Sequence, residues 1–173
     1  NWLWHGLGNE SADTPAFWID FLDDPLVSSL KTIFFEVREE NYKEMPTINN
    51  SPNHIKWNQI DRLLENLRTD IKGKYGRRLR LETPCIPTMD LYMERIDEGK
   101  SVNPIKSTAN HLFVCTEGTG NTRVEKNIFN WQRGDVVAVP SWQTYEHHAT
   151  SKATLLEITD QPVIEALGWY REA

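Results

Sequence analysis

Two segments of the chain carry side chains that could bind a metal or transfer a proton. Ser107, His111 and Cys115 are spaced by four residues, and Tyr145 and His147 are separated by one residue. Because side chains in a β-strand alternate between its two faces, the members of each set share a face on an unbroken strand. Imidazole nitrogens bind iron, zinc and copper, so convergence of His111, Tyr145 and His147 would create a weak metal site.

A second interpretation of the same side chains needs no metal. Buried polar groups are usually satisfied by hydrogen bonds, and a lone inward histidine is more often part of the packing than a ligand. We therefore favour hydrogen bonding of these groups to one another, or to a water molecule, inside a filled barrel. The metal site at His111, Tyr145 and His147 is kept as the alternative.

Arginine and tryptophan side chains could also contact a ligand. Arg95 could pair with a carboxylate through two hydrogen bonds, although an exposed arginine on an edge strand is the more ordinary interpretation. Trp142 and Trp131 could stack on an aromatic substrate at a barrel mouth, but rim packing is the commoner role. The candidate pocket therefore consists of Arg95, Ser107, His111, Trp142, Tyr145 and His147.

Short strands are expected to position these residues. Short strand-like runs at regular spacing, several of them bounded by turn residues, predict strands at 89–96, 111–117, 123–126, 128–131, 136–139, 145–149 and 154–159. Glycine-containing turns separate several of them, including a hairpin turn at residues 118–121. Antiparallel strands at intervals of about 8 to 12 residues are typical of a sandwich or a small barrel.

The region before residue 84 is predicted to be helix and loop. Apolar residues from Ile55 to Ile71 recur mostly at three- and four-residue steps, which predicts an amphipathic helix that begins at Ser51-Pro52. Pro25 must break an apolar segment at residues 16–35 or begin a helix there.

A short helix at residues 163–170, with Ile164 and Leu167 facing inward, is predicted after the last strand. We accordingly divide the chain in two. Residues 1–83 form an arm and helices that pack on the barrel or on a dimer partner, and residues 84–173 form the barrel with its C-terminal helix.

Composition limits the class of function. The 173 residues carry a formal net charge of −6, which argues against nucleic-acid and anionic-membrane surfaces, since both need basic patches. No apolar run is long enough to cross a bilayer. Cys85 and Cys115 are the two cysteines, too few for a disulfide framework, and they favour a reduced cytoplasmic chain.

Two strand-turn-strand motifs resemble those of the cupins, which are small double-sheet barrels. Gly134 and Pro140 match the glycine and proline of the second cupin motif, and Glu117-Gly118 with Gly120 matches the end of the first. Further pieces occur in the order found in the C-terminal half of gentisate 1,2-dioxygenases and of the related salicylate and 1-hydroxy-2-naphthoate dioxygenases. They are Trp18-Ile19-Asp20, Pro25-Leu26-Val27, Phe34-Phe35-Glu36, Pro87-Thr88-Met89, Val139-Pro140-Ser141-Trp142, Glu146-His147, Asp160-Gln161-Pro162, Ala166-Leu167-Gly168 and Tyr170-Arg171-Glu172.

This resemblance implies a mainly β fold, a double-stranded β-helix (jelly-roll) barrel with an N-terminal helical arm and a short C-terminal helix. Members of the family are bicupins about twice as long as this chain, and they cleave an aromatic ring with a ferrous ion held by histidines. Whether the chain is a fragment of such a bicupin is left open.

The family's iron ligands can be carried over position by position. Counted back from Gly118, its His-x-His pair falls on Ile105 and Ser107, and its second-motif histidine falls on Tyr145. His111 falls where many cupins carry a fourth ligand, usually glutamate. All three expected ligands are replaced, so we expect no cofactor, with Fe(II) or another divalent metal as the alternative.

Three hypotheses for function remain. In the first, the barrel has lost its iron site and builds a homo-oligomer, a dimer or larger, or supports a partner cupin half. In the second, it is an active mononuclear metal-dependent dioxygenase with a degenerate His/Tyr site. In the third, it is a metal-free barrel that binds a small carboxylate, for example an aromatic one. The sequence leaves open whether the chain is an enzyme.

Overall fold

The computed structural model describes residues 8–9, 11–36, 54–82 and 86–173, which belong to two compact units. The described part of the first unit, Asn1–Asn49, contains the short helix α1 (Asp24–Ser29). Pro25 lies in the first turn of α1, where its missing N–H removes no hydrogen bond. A helix therefore starts beside this proline, at Asp24, which is one of the two outcomes that the sequence predicts.

The second unit, Asn50–Ala173, is built mainly of β-strands. Five strands form one antiparallel sheet in the order β1-β2-β8-β3-β6, and three form another in the order β5-β4-β7. This arrangement is the jelly-roll barrel that the sequence predicts. The elements are α2 (Trp57–Asn66), β1 (Arg77–Leu81), β2 (Asp90–Ile96), β3 (His111–Glu117), β4 (Thr119–Val124), β5 (Asn127–Gln132), β6 (Val136–Val139), β7 (Tyr145–Ala149), β8 (Ala153–Thr159) and α3 (Gln161–Ala166).

The larger sheet is covered on both faces. Phe113 and Leu155 belong to the core between the two sheets. On the opposite face, Met93 packs in a second core with Ile60 and Leu64, the two buried residues of the amphipathic helix α2. Because side chains alternate along a strand, neighbouring residues of β2 and β8 enter different cores.

Two of the predicted N-terminal boundaries are wrong. Strand β1 lies in the region predicted to be helix and loop, where the run Arg77–Leu81 carries three arginines that conceal its period-two pattern. Helix α2 begins at Trp57, although the sequence predicts a start at Ser51-Pro52, which lies outside the described residues. Leu67 is already extended, with ψ of 151°, so α2 does not reach Ile71, which is fully exposed.

The hairpin after β3 is also shifted from its predicted position. The predicted turn at residues 118–121 is occupied mostly by β4, and the chain turns back after Val124. Gly120 is a glycine because a Cβ there would lie 2.3 Å from the His148 carbonyl oxygen and from the Trp131 ring. It marks a close approach of backbones within a sheet and not a turn.

The C-terminal helix is shorter than predicted. Helix α3 ends at Ala166, and Leu167, predicted to face inward, is 48% exposed. Within the described ranges, no helix is long and apolar enough to cross a membrane. The division at residue 83 stays a prediction.

A candidate polar site inside the barrel

Several polar side chains lie in the barrel interior, and we call five of them the interior cluster: Ser107, His111, Tyr145, His147 and Glu157. His111 and Glu157 come from β3 and β8 of the larger sheet, and Tyr145 and His147 come from β7 of the smaller one. Each of the five is at most 5% exposed. The structure thus brings together four of the six residues of the predicted pocket.

The ring of His111 is held on both sides by the protein. Its Nδ1 lies 2.8 Å from Glu157 Oε1, and its Nε2 lies 3.1 Å from Ser107 Oγ. The other carboxylate oxygen of Glu157 accepts a 2.6 Å hydrogen bond from Arg78 Nη2. Burial raises the pKa of Glu157, but the hydrogen bond from His111 and the charge of Arg78 outweigh it, so its pKa lies below the ordinary value. Glu157 is therefore an ionised carboxylate with two fixed donors.

Arg78 supplies the positive charge of the interior. Its guanidinium carbon lies 4.1 Å from the ring centroid of Tyr75 and 3.6 Å from that of Tyr92, within the range of cation–π attraction. The side chain is 18% exposed, while its partner Glu157 is 1% exposed. Sequence reasoning missed Arg78 because β1 was not predicted. The sequence feature that could have revealed this strand is the alternation of Leu79 and Leu81 with arginines. It places Arg78 on the face opposite the leucines, which is the inner face of the sheet.

Glu94 is a second interior carboxyl that sequence reasoning missed. It follows Met93 in β2, is 2% exposed, and accepts a 2.6 Å hydrogen bond from the backbone N–H of Gly76. Burial, reinforced by the negative charge of Glu157, raises the pKa of Glu94 to about 7. Its position in the period-two pattern of the first predicted strand could have identified it.

His147 is bonded on one side only. Thr122 Oγ1 lies 2.8 Å from His147 Nδ1 and accepts a 2.9 Å hydrogen bond from the Trp131 indole N–H. Thr122 can donate to Nδ1 while it accepts from Trp131, and this arrangement places the His147 proton on Nε2. That Nε2 has no hydrogen-bond partner among the described residues. Burial lowers the pKa of His147 to about 4, so the ring is neutral at pH 7.

Aromatic rings fill the space between the two histidines. The Phe113 centroid lies 4.4 Å from that of His147 and 5.3 Å from that of Tyr145. Tyr145 in turn lies 5.3 Å from His111 and 5.5 Å from His147. Contacts of this kind are packing contacts, and they occupy the space where the side chains from the two sheets converge.

These donors do not fit an iron centre. Both nitrogens of His111 are already bonded, and burial, with the charge of Glu157, raises the pKa of Tyr145 well above its ordinary value, so the phenol stays protonated. Ile105, which pairs with Tyr145 through backbone hydrogen bonds of 2.8 Å, offers no donor side chain. In the part of the chain that the structure describes, no three His, Cys, Asp or Glu side chains are grouped to hold a metal.

Arg95 does not belong to this site. It is 1% exposed and lies on β2, an inner strand of the larger sheet, so both its predicted exposure and its predicted edge position are wrong. Its guanidinium faces α2 and donates to Asp61 at 2.8 Å and to Glu65 at 2.9 Å. Strand alternation explains the error, because Glu94 takes the inward position and Arg95 the outward one.

One of the two tryptophans, Trp131, differs from the predicted rim packing. Trp131 is 4% exposed and lies inside the barrel, where it donates to Thr122. Trp142 is 44% exposed, and its backbone N–H donates to the carbonyl oxygen of Ser107 at 2.7 Å. Its backbone has φ of +62°, and the Lys106 ammonium lies 5.0 Å from its ring centroid. Trp142 is therefore a surface residue.

The chain spans somewhat more than half the length of the curated relatives that it matches. It is 27% identical over 201 residues to gentisate 1,2 dioxygenase 1 of Aquipseudomonas alcaligenes, covering 99% of this chain and 58% of that protein. It is 28% identical to the 5-aminosalicylate 1,2-dioxygenase of a Comamonas species, covering 98% of this chain and 53% of the relative. No family model matches the chain.

A solved structure gives the same fold. The chain is similar in structure to salicylate 1,2-dioxygenase from Pseudaminobacter salicylatoxidans, with a TM-score of 0.75 at 19% identity, covering 87% of this chain and 53% of that chain. The sequence relatives and the jelly-roll topology therefore agree: the chain resembles gentisate 1,2-dioxygenases over nearly its whole length, and its fold is that of the cupin barrels among its structural neighbours.

Proposed function

We propose that this barrel works without iron, as a structural cupin that supports an oligomer or a partner barrel. The observation that carries the proposal is the bonding of His111, whose two ring nitrogens are both held inside the protein, by Glu157 and Ser107. Ile105 and Tyr145, at two of the positions where the family carries histidines, add no competing ligand. The interior of the barrel is thus bonded largely by its own side chains, and among the described interior atoms only His147 Nε2 and Arg78 Nε are buried without a partner.

The free energy needed to rearrange this interior opposes metal binding. To bind a metal through Nδ1, His111 would have to release Glu157, which is 1% exposed and is also paired with Arg78. Disrupting a buried ionic network by removing one partner costs about 3–5 kcal/mol. A metal would have to recover that free energy with the single unpartnered nitrogen of His147.

The relatives suggest what the whole protein does. They are named for the oxygenation of gentisate and of 5-aminosalicylate, which are aromatic carboxylic acids with hydroxyl or amino substituents. On this proposal, oxygen-dependent ring cleavage of an aromatic carboxylate takes place in a partner cupin with an intact His-x-His pair. We also propose a cytoplasmic location, because Cys115 is a buried free thiol.

Metal content tests the proposal directly. The full chain is incubated with Fe(II) without oxygen, dialysed and measured by elemental analysis, and we expect far less than one iron per chain. The matched control is the triple variant Ile105→His, Ser107→His, Tyr145→His, which restores the family's ligand types and is expected to retain iron. Stoichiometric iron in the unmodified chain that is lost in His147→Gln would overturn the proposal.

A further inference from the structure

Strands β5 and β6 follow each other along the chain but belong to different sheets. Each is the outermost strand of its sheet, so one edge of each pairs with no other strand of the described chain. A groove of about 660 Å³ lies at these strands, lined by Ile128, Phe129, Asn130, Asp135, Val136, Val137 and Ala138. We call this open edge of the barrel the β5–β6 seam.

The seam exposes apolar side chains next to unpaired backbone. Ile128 is 58% exposed, Phe129 45% and Val136 43%. Natural proteins usually protect such edges with charged residues or proline, because a free strand edge pairs readily with another strand. Neither β5 (Asn-Ile-Phe-Asn-Trp-Gln) nor β6 (Val-Val-Ala-Val) contains a charged residue or a proline. The seam therefore has the chemistry of a strand-pairing surface.

Charge favours a second copy of this chain as the occupant. With a net charge of −6, two copies repel each other over much of their surface. The seam is different, because the strands are uncharged and the flanking turns each carry one acid and one base. These are Glu125 with Lys126 before β5, and Arg133 with Asp135 after it. Two copies can thus approach through this surface without like-charge repulsion.

We infer that the β5–β6 seam docks a second copy of this chain, with β5 of one copy antiparallel to β5 of the other about a two-fold axis. A two-fold axis makes the same patch serve both copies, and antiparallel pairing satisfies the free backbone groups of both edges. The pairing joins the two three-stranded sheets into one of six strands. This inference rests on the proposed oligomerising role and names its surface.

The oligomeric state of the full chain, measured by sedimentation velocity over a concentration series, tests the inference. We expect a dimer whose dissociation constant rises at least tenfold in Ile128→Lys, since lysines from both copies would then lie on the paired edges. The matched control is Ile71→Lys, at a fully exposed isoleucine outside the seam, which should leave the dimer unchanged. Thermal unfolding of each variant establishes that it is folded.

A mixing experiment separates loss of pairing from loss of fold. Equal amounts of Ile128→Lys and Ile128→Glu should form a mixed dimer more stable than either variant alone, because the edges then carry opposite charges. A monomeric wild type, an unchanged dimer in Ile128→Lys, or folded variants that do not form the mixed dimer would each overturn the inference. These outcomes leave the iron measurement untouched, so failure of the seam and failure of the iron-free proposal are distinguishable.

Discussion

Arg95 on the outer face of the larger sheet and Arg78 on its inner face are both paired with carboxylates, but their charges are compensated differently. On the outer face, Arg95 has no exposed side-chain surface, but its partners Asp61 and Glu65 are 49% and 45% exposed. On the inner face, Arg78 is 18% exposed and pairs with Glu157, which is 1% exposed. Water therefore reaches the carboxylates on the outer face and the arginine on the inner face.

This difference in exposure determines how much stability is lost when one partner of each ion pair is removed. A half-exposed carboxylate that loses its arginine is still hydrated, so its charge costs little. A fully buried carboxylate has only protein donors, and its own removal leaves Arg78 and His111 without their acceptor. The outer charges hold α2 on the sheet, whereas the inner charges fix the positions of rings within the barrel.

Glu157→Gln should give the largest loss of stability. The amide keeps the shape of the side chain but removes the charge shared by Arg78 and His111, so we expect the free energy of unfolding to fall by about 3–5 kcal/mol. Urea unfolding monitored by tryptophan fluorescence measures it. The control is Arg78→Met with Glu157→Leu, which removes both charges and should lose less than the single variant. A loss below about 1 kcal/mol in Glu157→Gln would contradict a network centred on this carboxylate.

The pH dependence of stability should reveal two interior groups with opposite effects. Glu94, with its pKa raised to about 7, contributes stability that is full below about 4.5 and is lost as pH rises through 7. His147, with its pKa lowered to about 4, contributes stability that is full above about 6.5 and is lost as pH falls towards 4. Between about pH 4.5 and 6.5 the stabilisation by Glu94 decreases as the pH rises while the stabilisation by His147 increases, so the two changes offset each other in the wild type.

Glu94→Gln removes the titrating carboxyl group, and the amide oxygen of the glutamine can still accept the hydrogen bond from the Gly76 backbone N–H. When the pH is lowered from 7 to 4, the free energy of unfolding of Glu94→Gln should decrease by about 3 kcal/mol relative to that of the wild type. His147→Gln should change the slope in the opposite direction. Urea unfolding at half-unit pH intervals provides the measurement, and curves parallel to the wild type in both variants would show that neither group titrates as described.

Arg95→Met should give the smallest of these effects. Methionine fills most of the volume, and Asp61, Glu65 and Glu117 are half exposed and can be hydrated, so we expect a loss of about 1–2 kcal/mol. Repulsion among the three carboxylates should make the loss smaller in high salt. Urea unfolding at low and high salt tests both points. A loss as large as that of Glu157→Gln would remove the distinction between the two faces.

Local sequence patterns predicted much of the barrel. The structure gives β3, β6 and β7 the same bounds as the prediction, because each is a short strand-like run with a turn or a proline beside it. Strand β1 was missed because its apolar residues are only two leucines among arginines. Gly120 misled the prediction because a glycine needed for close packing is indistinguishable, in sequence, from a glycine needed for a turn.

The sequence by itself indicated the resemblance to gentisate 1,2-dioxygenases and determined which residues of each strand share a face, so that His111 and Cys115, and Tyr145 and His147, could be grouped before any coordinates. Alternation is a local property of the strand, and it needs no knowledge of neighbours. Only the tertiary structure decided which face is the interior and which side chain meets which. The register of β1 on β2 brings Arg78 to Glu157 and sends Arg95 to α2, because strand pairing joins residues that are distant in the chain.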